Sequence, residues 1–541
     1  MEKWWKEQVV YQIYPRSFQD SDGDGVGDIP GILMRLDELR ELGVGILWLS
    51  PVYSSPDADN GYDIRDYCAI DPRYGTMADM DRLISEAGRR GMKIVMDLVI
   101  NHTSDEHEWF QKSRDIYSEY RDYYIWRPKK EDGSAPNNWR TFFMEPAWEY
   151  DEMSGEYYLH LFHKKQPDLN YRNPMVVEEV KKILRFWLDK GVAGFRCDVI
   201  NVLWKESFED GKRGLPVRGL EHYKTREGNH EILRELRRDV LDAYDCFTVG
   251  ESVMVGLEEA KLLCDEDRKE LDMLFSFEHL EVDRRIAKFI PKRFRSSRLL
   301  KVLTKWQRGL DWNAVYLENH DQPRIVSHYG DDQRYWQRSA KLLATLQFTL
   351  RGTPFLYQGQ EIGMTNFDFT AVDQLNDVES HNFDALLKRY HVPAWLRWHW
   401  LKDASRDNAR TPMQWSADAG TGFTRGIPWL KINGNYRKIN YESQKRDPES
   451  ILAYYKKMIR FREGSETLKN GSFRPVYAKG GVIAYDRERR GETYTAILNF
   501  SKKTRRVPFC GDVAVSNTGK SDLYGLLGPF EAVVMKNRSR R

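Results

Sequence analysis

The sequence has few cysteines and no long apolar run. Among 541 residues there are five cysteines, at positions 68, 197, 246, 264 and 510, and none belongs to a CxxC pair. An odd, scattered set argues against a disulfide framework and a zinc site, and is typical of a reducing compartment. No run reaches the roughly 18 apolar residues of a membrane span, and the N-terminus lacks a signal-peptide pattern. We therefore expect a cytoplasmic protein without a membrane anchor.

An excess of one charge is also missing. The chain has 84 basic and 82 acidic residues, which gives a formal net charge of +2 at pH 7. Without a long-range field, neither nucleic acid nor an anionic membrane is an expected partner. Aromatic residues, in contrast, are plentiful, since Tyr, Phe and Trp make up 13% of the chain and 17 residues are Trp. Such rings fill cores and also supply stacking surfaces for flat apolar ligand faces.

Short β-rich runs alternate with segments of helical periodicity. Eight runs begin at Val9, Gly45, Met92, Val192, Cys246, Leu271, Asn313 and Pro354. Amphipathic helices are predicted from Ile32, Met77 and Val176, each closed by a glycine. This alternation is typical of parallel βα units. Eight such units predict an α/β protein with a closed (β/α)8 barrel, the TIM-barrel fold.

Interruptions of this pattern predict further parts. After the third run, about seventy residues rich in Trp, Tyr, Asn, Pro and Gly pass before the next helix, too many for a plain connection. We predict a small inserted domain at 104–171, so that the barrel comprises 1–103 and 172–469. The polar and aromatic segment 365–440 predicts lid loops, followed by a returning helix in "ESILAYYKKMIRFRE". The short alternating runs of 470–541 predict a C-terminal antiparallel β-sandwich.

Polar side chains end several of the β-rich runs. They are Asp97, Asn101 and His102 after the third run, Arg196 and Asp198 in the fourth, Glu251 in the fifth, and His320 and Asp321 after the seventh. In a parallel barrel the carboxyl ends of the strands meet at one mouth, where active sites lie. Three carboxylates from three strands would repel one another there. Their convergence therefore indicates a function rather than a structural role.

Two carboxyl groups flanking an acetal can hydrolyse a glycosidic bond. Asp198 suits the nucleophile, because Arg196 on the same strand face would keep it ionised and oriented. Glu251 suits the acid, because a carboxyl near another negative charge in an aromatic pocket tends to keep its proton. The residues alone thus favour a glycosidase.

Several stretches together carry a resemblance to a known family. They are "QPDLN", "DLVINH", "GFRCDVI", "VGES", "ENHDQPR", "GTPFLYQGQEIGMTN" and "SRDNARTPMQW". With these motifs the chain resembles the α-amylase superfamily, glycoside hydrolase family 13, in its oligo-1,6-glucosidase and α-glucosidase branch. The resemblance implies a retaining α-glucosidase in which Asp198 is the nucleophile, Glu251 the acid/base and Asp321 the third carboxylate.

The resemblance also implies how one glucose is held at the non-reducing end. The residues implied in substrate binding are Asp59, Tyr62, His102, Gln166, Arg196, Val199, His320 and Arg410. In this pattern Asp59 takes sugar hydroxyls, Tyr62 stacks on the sugar face, and Arg410 pairs with Asp59 to close the far end, with Arg406 as the nearby competitor. A closed end means that glucose is removed one unit at a time from small α-gluco-oligosaccharides. No organic cofactor is implied, and we expect a monomer.

Linkage preference depends on Val199, the residue after the nucleophile. In this branch Val resembles enzymes that cut α-1,6 bonds, whereas Ala or Thr resembles enzymes that prefer α-1,4 bonds. A single small difference in such a pocket discriminates by only about 1–3 kcal/mol. An α-1,4-glucosidase therefore stays an alternative, as does a trehalose-6-phosphate hydrolase, which also carries Val but needs a cationic phosphate site that the sequence does not identify.

Two further relatives fit the sequence less well. Sucrose isomerases carry an Arg-rich stretch after the "NHD" motif, where this chain has "QPRIVSHYG". Non-catalytic barrels of transporter heavy subunits lose the carboxylates and carry a membrane helix. One departure from the pattern is Cys197, where relatives usually have a larger residue. Strand alternation points its thiol away from Asp198 and toward the barrel wall.

The Gly-rich stretch "DSDGDGVGD" at 20–28 predicts a cation site. Its four carboxylates suit a hard cation bound through oxygen ligands, and a solvated acidic turn is the alternative. The stretch resembles the family's calcium site. That resemblance implies a structural Ca2+ held by Asp20, Asp22, Asp24, Val26 and Asp28.

Overall fold

Eight parallel strands form the central barrel in a computed structural model that describes residues 3–212, 217–285 and 288–538. The barrel strands are Val10–Ile13, Ile46–Leu49, Lys93–Leu98, Gly194–Cys197, Phe247–Glu251, Met273–Phe275, Ala314–Tyr316 and Thr353–Tyr357. Hydrogen bonds join them in the order sixth, fifth, fourth, third, second, first, eighth, seventh. The sixth and seventh strands lie next to each other and complete the ring. Each predicted run contains one of these strands, and the predicted barrel is confirmed.

Helices cover the outside of the barrel and cap its ends. The α-helices of the described residues are Ile29–Met34, Leu36–Leu42, Met77–Arg89, Glu108–Ser113, Pro174–Asp189, Glu227–Asp239, Leu257–Cys264, Ser296–Gly309, Ile325–His328, Trp336–Thr349, Val378–Arg389, Ala394–Leu401, Asp407–Arg410, Tyr441–Lys445, Ile451–Glu463 and Glu466–Asn470. The helix Pro174–Asp189 shows how local sequence sets the ends. Asn173 caps its first turn, Pro174 occupies the first position, and Gly191 follows with a φ of +96°.

One predicted helix is divided in two. The segment predicted as one helix from Ile32 falls on two helices, Ile29–Met34 and Leu36–Leu42, with a break at Arg35. The guanidinium of Arg35 donates to Gln19 at 2.8 Å and lies over the Trp415 ring at 4.3 Å. This anchoring turns the chain where helical periodicity alone predicts a continuous helix.

The inserted segment carries its own small sheet. Three antiparallel strands, Trp126–Arg127, Trp148–Asp151 and Glu156–Leu159, pair with the last in the centre. A separate antiparallel pair, Tyr53–Ser54 and Asp66–Ile70, lies earlier in the chain. The sheet packs with an aromatic cluster that reaches Val199 beside the barrel mouth. The insertion therefore covers the end of the barrel where the candidate site lies.

The predicted lid loops of 365–440 are partly helical, which corrects that prediction. Val378–Arg389 and Ala394–Leu401 are consecutive helices that contact each other. Their buried residues join Phe289 in a separate apolar cluster. The high Trp and His content of the second helix hid the amphipathic pattern. The returning helix is present as Ile451–Glu463.

The C-terminal strands form one antiparallel sheet. They are Ser472–Lys479, Val482–Arg489, Glu492–Asn499, Arg505–Ser516, Asp522–Leu527 and Ala532–Arg538, and the last lies between the third and fourth in the sheet. One face joins the main core, whereas the other closes on itself, with Val482 and Ala484 in a cluster with Val507 and Leu523. Two layers thus arise from a single curled sheet rather than from two separate sheets. The boundaries 104, 171 and 470 stay predictions.

Within the described residues, no helix combines the length and the apolar composition that crossing a bilayer requires.

Candidate active site

Arg196 lies at the centre of the barrel mouth and binds three carboxylates. Its Nη1 lies 2.5 Å from Oδ1 of Asp97 and 2.7 Å from Oδ1 of Asp198, and its Nη2 donates to Oε2 of Glu251. The guanidinium is only 1% exposed. Three neighbouring strands deliver these groups, because the third, fourth and fifth strands pair in parallel register. The predicted contact between Arg196 and Asp198 is therefore present, and Arg196 also binds Asp97 and Glu251.

Asp198 stands just beyond its strand. Its backbone N–H donates to the Leu98 carbonyl at 2.9 Å, and the N–H of Ile200 donates to the Glu251 carbonyl at 3.0 Å. These bonds join the chain around Asp198 to the third and fifth strands. Val199, between them, has a φ of +37°. A β-branched residue there is strained by about 1–3 kcal/mol, which the flanking bonds and the packing of Val199 sustain.

Asp198 and Glu251 differ in pKa because of the charges around them. Burial raises the pKa of both, and Arg196 lowers both in part. The charges of Asp198 and Asp321 raise the pKa of Glu251 further, so that it lies above the pKa of Asp198. Glu251 is therefore the carboxyl group that holds a proton more readily. This is the division of roles that an acid and a nucleophile require.

Nearby positive charges keep the carboxyl group of Asp321 ionised. Arg410 donates to its Oδ1 at 2.6 Å, and Arg406 lies 3.5 Å from the same oxygen. Burial raises the pKa of Asp321, but nearby positive charge, including both arginines, outweighs it and holds that pKa well below its usual range. Asp321 thus offers a permanent negative charge beside the protonated Glu251.

His320 joins Asp321 to Tyr62. Burial lowers the pKa of His320 to about 3, so its ring is neutral. The Gln12 amide nitrogen lies 2.8 Å from its Nδ1, which assigns the hydrogen to Nε2. That Nε2 lies 2.7 Å from the hydroxyl of Tyr62 and 3.3 Å from Oδ2 of Asp321. The Tyr62 and His320 rings are parallel within 6°.

His102 and Gln166 lie beside Asp59 and Tyr62. Burial lowers the pKa of His102 to about 4. Its Nε2 lies 3.1 Å from the carbonyl of Tyr62 and 3.1 Å from the Gln166 amide nitrogen. Gln166 in turn reaches Oδ2 of Asp59 at 3.3 Å. Both motif residues are therefore placed beside Asp59 and Tyr62, as the sequence predicts.

The predicted pairing of Arg410 with Asp59 is wrong. Arg410 binds Asp321 and the His320 carbonyl, whereas Arg406 lies 3.6 Å from Oδ1 of Asp59. Asp377, at the start of the helix Val378–Arg389, holds Arg406 at 2.7 Å and turns it toward Asp59. Arg406, named from the sequence as the alternative to Arg410, is thus the arginine that lies beside Asp59.

Two cavities meet at Glu251. An inner cavity of about 240 Å3 is lined by Asp59, Tyr62, His102, Gln166, Asp198, Val199, Glu251, Asp321 and Arg406, among others. An outer cavity of about 580 Å3 opens beyond it, and Glu251, Val253, Phe277 and Lys288 line both. Asp198 lines the inner cavity but not the outer one. Glu251 therefore stands at the junction of the two cavities.

Several lining residues escaped the sequence analysis. Phe142, Phe143 and Phe162 come from the inserted segment and form an aromatic wall of the inner cavity. Lys288 and Glu379 form an ion pair of 2.5 Å that lines both cavities. None of these residues ends a barrel strand, and only the aromatic content of the insertion gave a signal. Cys197 is buried, and burial raises the pKa of its thiol, so it packs as expected.

The acidic loop brings three of its carboxylates together. Oxygens of Asp20, Asp22 and Asp28 lie within 4.8 Å of one another. None of the three forms an ion pair with Lys or Arg in the described part of the chain, and backbone N–H groups donate to Asp20 and Asp28. Asp24 lies outside this group, and its carboxylate accepts the N–H of Val26 at 2.7 Å. The donor set suits a hard cation.

Comparisons with known proteins agree with this geometry. A family model described as alpha amylase, catalytic domain, matches residues 12–471. The chain is 49% identical over 508 residues to an oligo-1,6-glucosidase of Halalkalibacterium halodurans, covering 92% of this chain and 90% of the relative. It is 46% identical over 506 residues to a trehalose-6-phosphate hydrolase of Bacillus subtilis, covering 92% and 90%. A solved isomaltulose synthase variant from Erwinia rhapontici, in complex with sucrose, has a TM-score of 0.95 at 40% identity, covering 99% of this chain and 100% of that one. These relatives share one fold and are named for three different activities.

Proposed function

Because this chain belongs to the α-amylase family, glycoside hydrolase family 13, we propose that it is a retaining, exo-acting α-glucosidase that releases glucose from isomaltose and short isomalto-oligosaccharides. One observation carries the proposal. The carboxyl groups of Asp198, Glu251 and Asp321 line a single cavity whose volume is about 240 Å3. Three strand ends that meet around one small cavity suit an acetal carbon better than any structural role.

The proposed reaction proceeds in two steps. Glu251 protonates the glycosidic oxygen while Asp198 attacks the anomeric carbon, which forms a glucosyl ester and frees the leaving sugar. Water then attacks the ester, with Glu251 as base. The carboxyl groups of Asp198 and Glu251 both accept hydrogen bonds from the guanidinium of Arg196. This closeness supports retention, because inverting enzymes separate their carboxyl groups by about 6.5–9.5 Å to fit a water. Asp321 stabilises the positive charge that develops on the sugar.

Exo action is supported by the closed far end of the inner cavity. Oδ1 of Asp59 and Nη2 of Arg406 are both buried, and neither has a hydrogen-bond partner among the described residues; they face each other at 3.6 Å. Unsatisfied buried polar atoms are costly. A sugar hydroxyl between them would satisfy both, which assigns this end to the terminal glucose.

The charges of the outer cavity bear on the choice between isomaltose and trehalose 6-phosphate. Lys288 pairs with Glu379 at 2.5 Å, and Lys305 pairs with Glu278 at 2.7 Å. Arg285 also lines this cavity, is exposed, and forms no ion pair within the described residues. Trehalose 6-phosphate is therefore the alternative that the substrate comparison has to decide. Val199 lines the inner cavity beside the nucleophile and supports the α-1,6 preference on the same grounds as in the sequence.

A side-by-side substrate panel tests the proposal. Isomaltose, maltose, trehalose 6-phosphate and sucrose are incubated with the enzyme and with an Asp198→Asn variant, and the products and their anomers are followed by NMR. We expect α-glucose from isomaltose, little turnover of the other substrates, and no turnover by the variant. Faster cleavage of maltose or trehalose 6-phosphate, or a sucrose isomer as product, would replace the proposed activity by that alternative.

We propose that the acidic loop binds a structural calcium ion. Asp20, Asp22 and Asp28 would hold it through carboxylate oxygens. When bound, the ion contributes charge compensation to a loop that also contacts Thr424 through Asp20. The cytoplasmic location and the monomeric state stay predictions, which fractionation and analytical ultracentrifugation check.

A further inference from the structure

Two large aromatic side chains lie exposed, one at the end of the helix that borders the outer cavity and one on the helix that follows it. Tyr390 is 74% exposed and Trp395 is 72% exposed. Neither ring contacts another aromatic ring or a cation in the described part of the chain. Exposed rings of this size beside a binding cavity indicate an interaction surface more often than isolated surface aromatics do.

Tyr390 continues a helix face that already lines the outer cavity. Glu379, Phe383 and Leu386 of the helix Val378–Arg389 all border that cavity. Their spacing of four and three residues places them on one face, and Tyr390 follows four residues later on the same face. The N–H of Tyr390 still donates to the Leu386 carbonyl at 3.3 Å. The face therefore extends about 16 Å from Glu379 to Tyr390.

Trp395 lies on a helix that is anchored to the same apolar cluster. In Ala394–Leu401, Leu401 is buried with Phe383, and Trp398 and Trp400 pack against that cluster. The helix is thus held in place by its other side chains, and Trp395 is left facing the solvent. A rigid, exposed indole loses little conformational entropy when it binds a ligand.

We propose that Tyr390 and Trp395 form a stacking platform for the reducing-end part of long α-1,6-glucan chains. The inference rests on the proposed function, since the closed inner cavity leaves the outer cavity as the path for the rest of the chain. A chain that leaves along the face of Val378–Arg389 meets Tyr390 first and then the helix of Trp395. The flat apolar faces of pyranose rings stack on aromatic rings.

Kinetics on short and long substrates test the platform. A Tyr390→Ala/Trp395→Ala double variant is compared with Tyr117→Ala, which removes an even more exposed ring, 90% exposed, from the inserted segment. We expect the double variant to lose about five- to tenfold in kcat/KM on isomaltoheptaose, through KM. Its kcat/KM on isomaltose should equal that of the control. An unchanged long-substrate KM, or equal losses on both substrates, overturns the platform.

Binding without turnover separates this inference from the proposed function. The same substitutions are placed in an Asp198→Asn background, and migration is measured in native gels containing dextran. Retardation by dextran should be lost with Tyr390 and Trp395 and kept in the Tyr117 control. Retardation that persists without both rings refutes the platform, whatever the enzyme hydrolyses. Failure of the unsubstituted enzyme to cleave isomaltose refutes the proposed function instead.

Discussion

Replacing Arg196 by Gln should shift the pH dependence of the enzyme as a whole. Arg196 bonds Asp97, Asp198 and Glu251 at once and is 1% exposed. Burial raises the pKa of Asp198 and of Glu251, and Arg196 is the strongest influence that lowers either one. Without the guanidinium, both pKa values rise. Since the proposed mechanism requires an ionised Asp198 and a protonated Glu251, both limbs of the kcat/KM profile should move to higher pH.

The size of the shift follows from the loss of the central charge. An opposite charge within hydrogen-bonding distance lowers a carboxyl pKa by about 1–3 units, so the acid limb should move up by about that amount. Removing one partner of a buried ion pair also costs about 3–5 kcal/mol of stability. Protonation of Asp97 and Asp198 in the variant offsets part of that cost. We therefore expect a folded but less stable enzyme that works best in more alkaline solution.

A second substitution gives the opposite sign and serves as the control. The charge of Asp97 raises the pKa of Asp198, so Asp97→Asn should move the acid limb to lower pH. The assay is hydrolysis of p-nitrophenyl α-glucoside from about pH 4 to about pH 9, with circular dichroism to confirm folding. If both variants fold and keep the acid limb of the parent, the electrostatic reasoning about Arg196 is wrong.

Three further outcomes are expected. Val199→Ala should raise the ratio of maltose to isomaltose turnover about tenfold by widening the leaving-group side; an unchanged ratio removes Val199 from linkage choice. Arg406→Lys loses the fork that reaches Asp59, so KM for isomaltose should rise about tenfold with a smaller effect on kcat; a KM equal to that of the parent contradicts the closed end. Ca2+ at about 100 times its Kd should stabilise the parent by about 2.7 kcal/mol, and Asp20→Asn should abolish that gain in Tm with kcat intact; the same gain in both proteins argues against the site.

The meeting of three carboxylates in one cavity was predictable because each follows or ends a β-rich run. Asp198, Glu251 and Asp321 come from separate runs, and a parallel barrel directs all strand ends to one mouth. The pairing of the arginines was not predictable. Arg406 and Arg410 lie within one short stretch, and only Asp377, from a helix that the sequence analysis placed among loops, decides that Arg406 faces Asp59.

By itself, the sequence determined the barrel, the three carboxylates that meet at its mouth and the loop that suits a cation, because periodicity and strand-end motifs act over a few residues. The tertiary structure alone decided that Arg196 serves three carboxylates and that Lys288 meets Glu379 across the mouth. It also decided which aromatic rings stay outside. These contacts join residues that are far apart in the chain, and their partners follow from how whole elements pack, which local patterns do not encode.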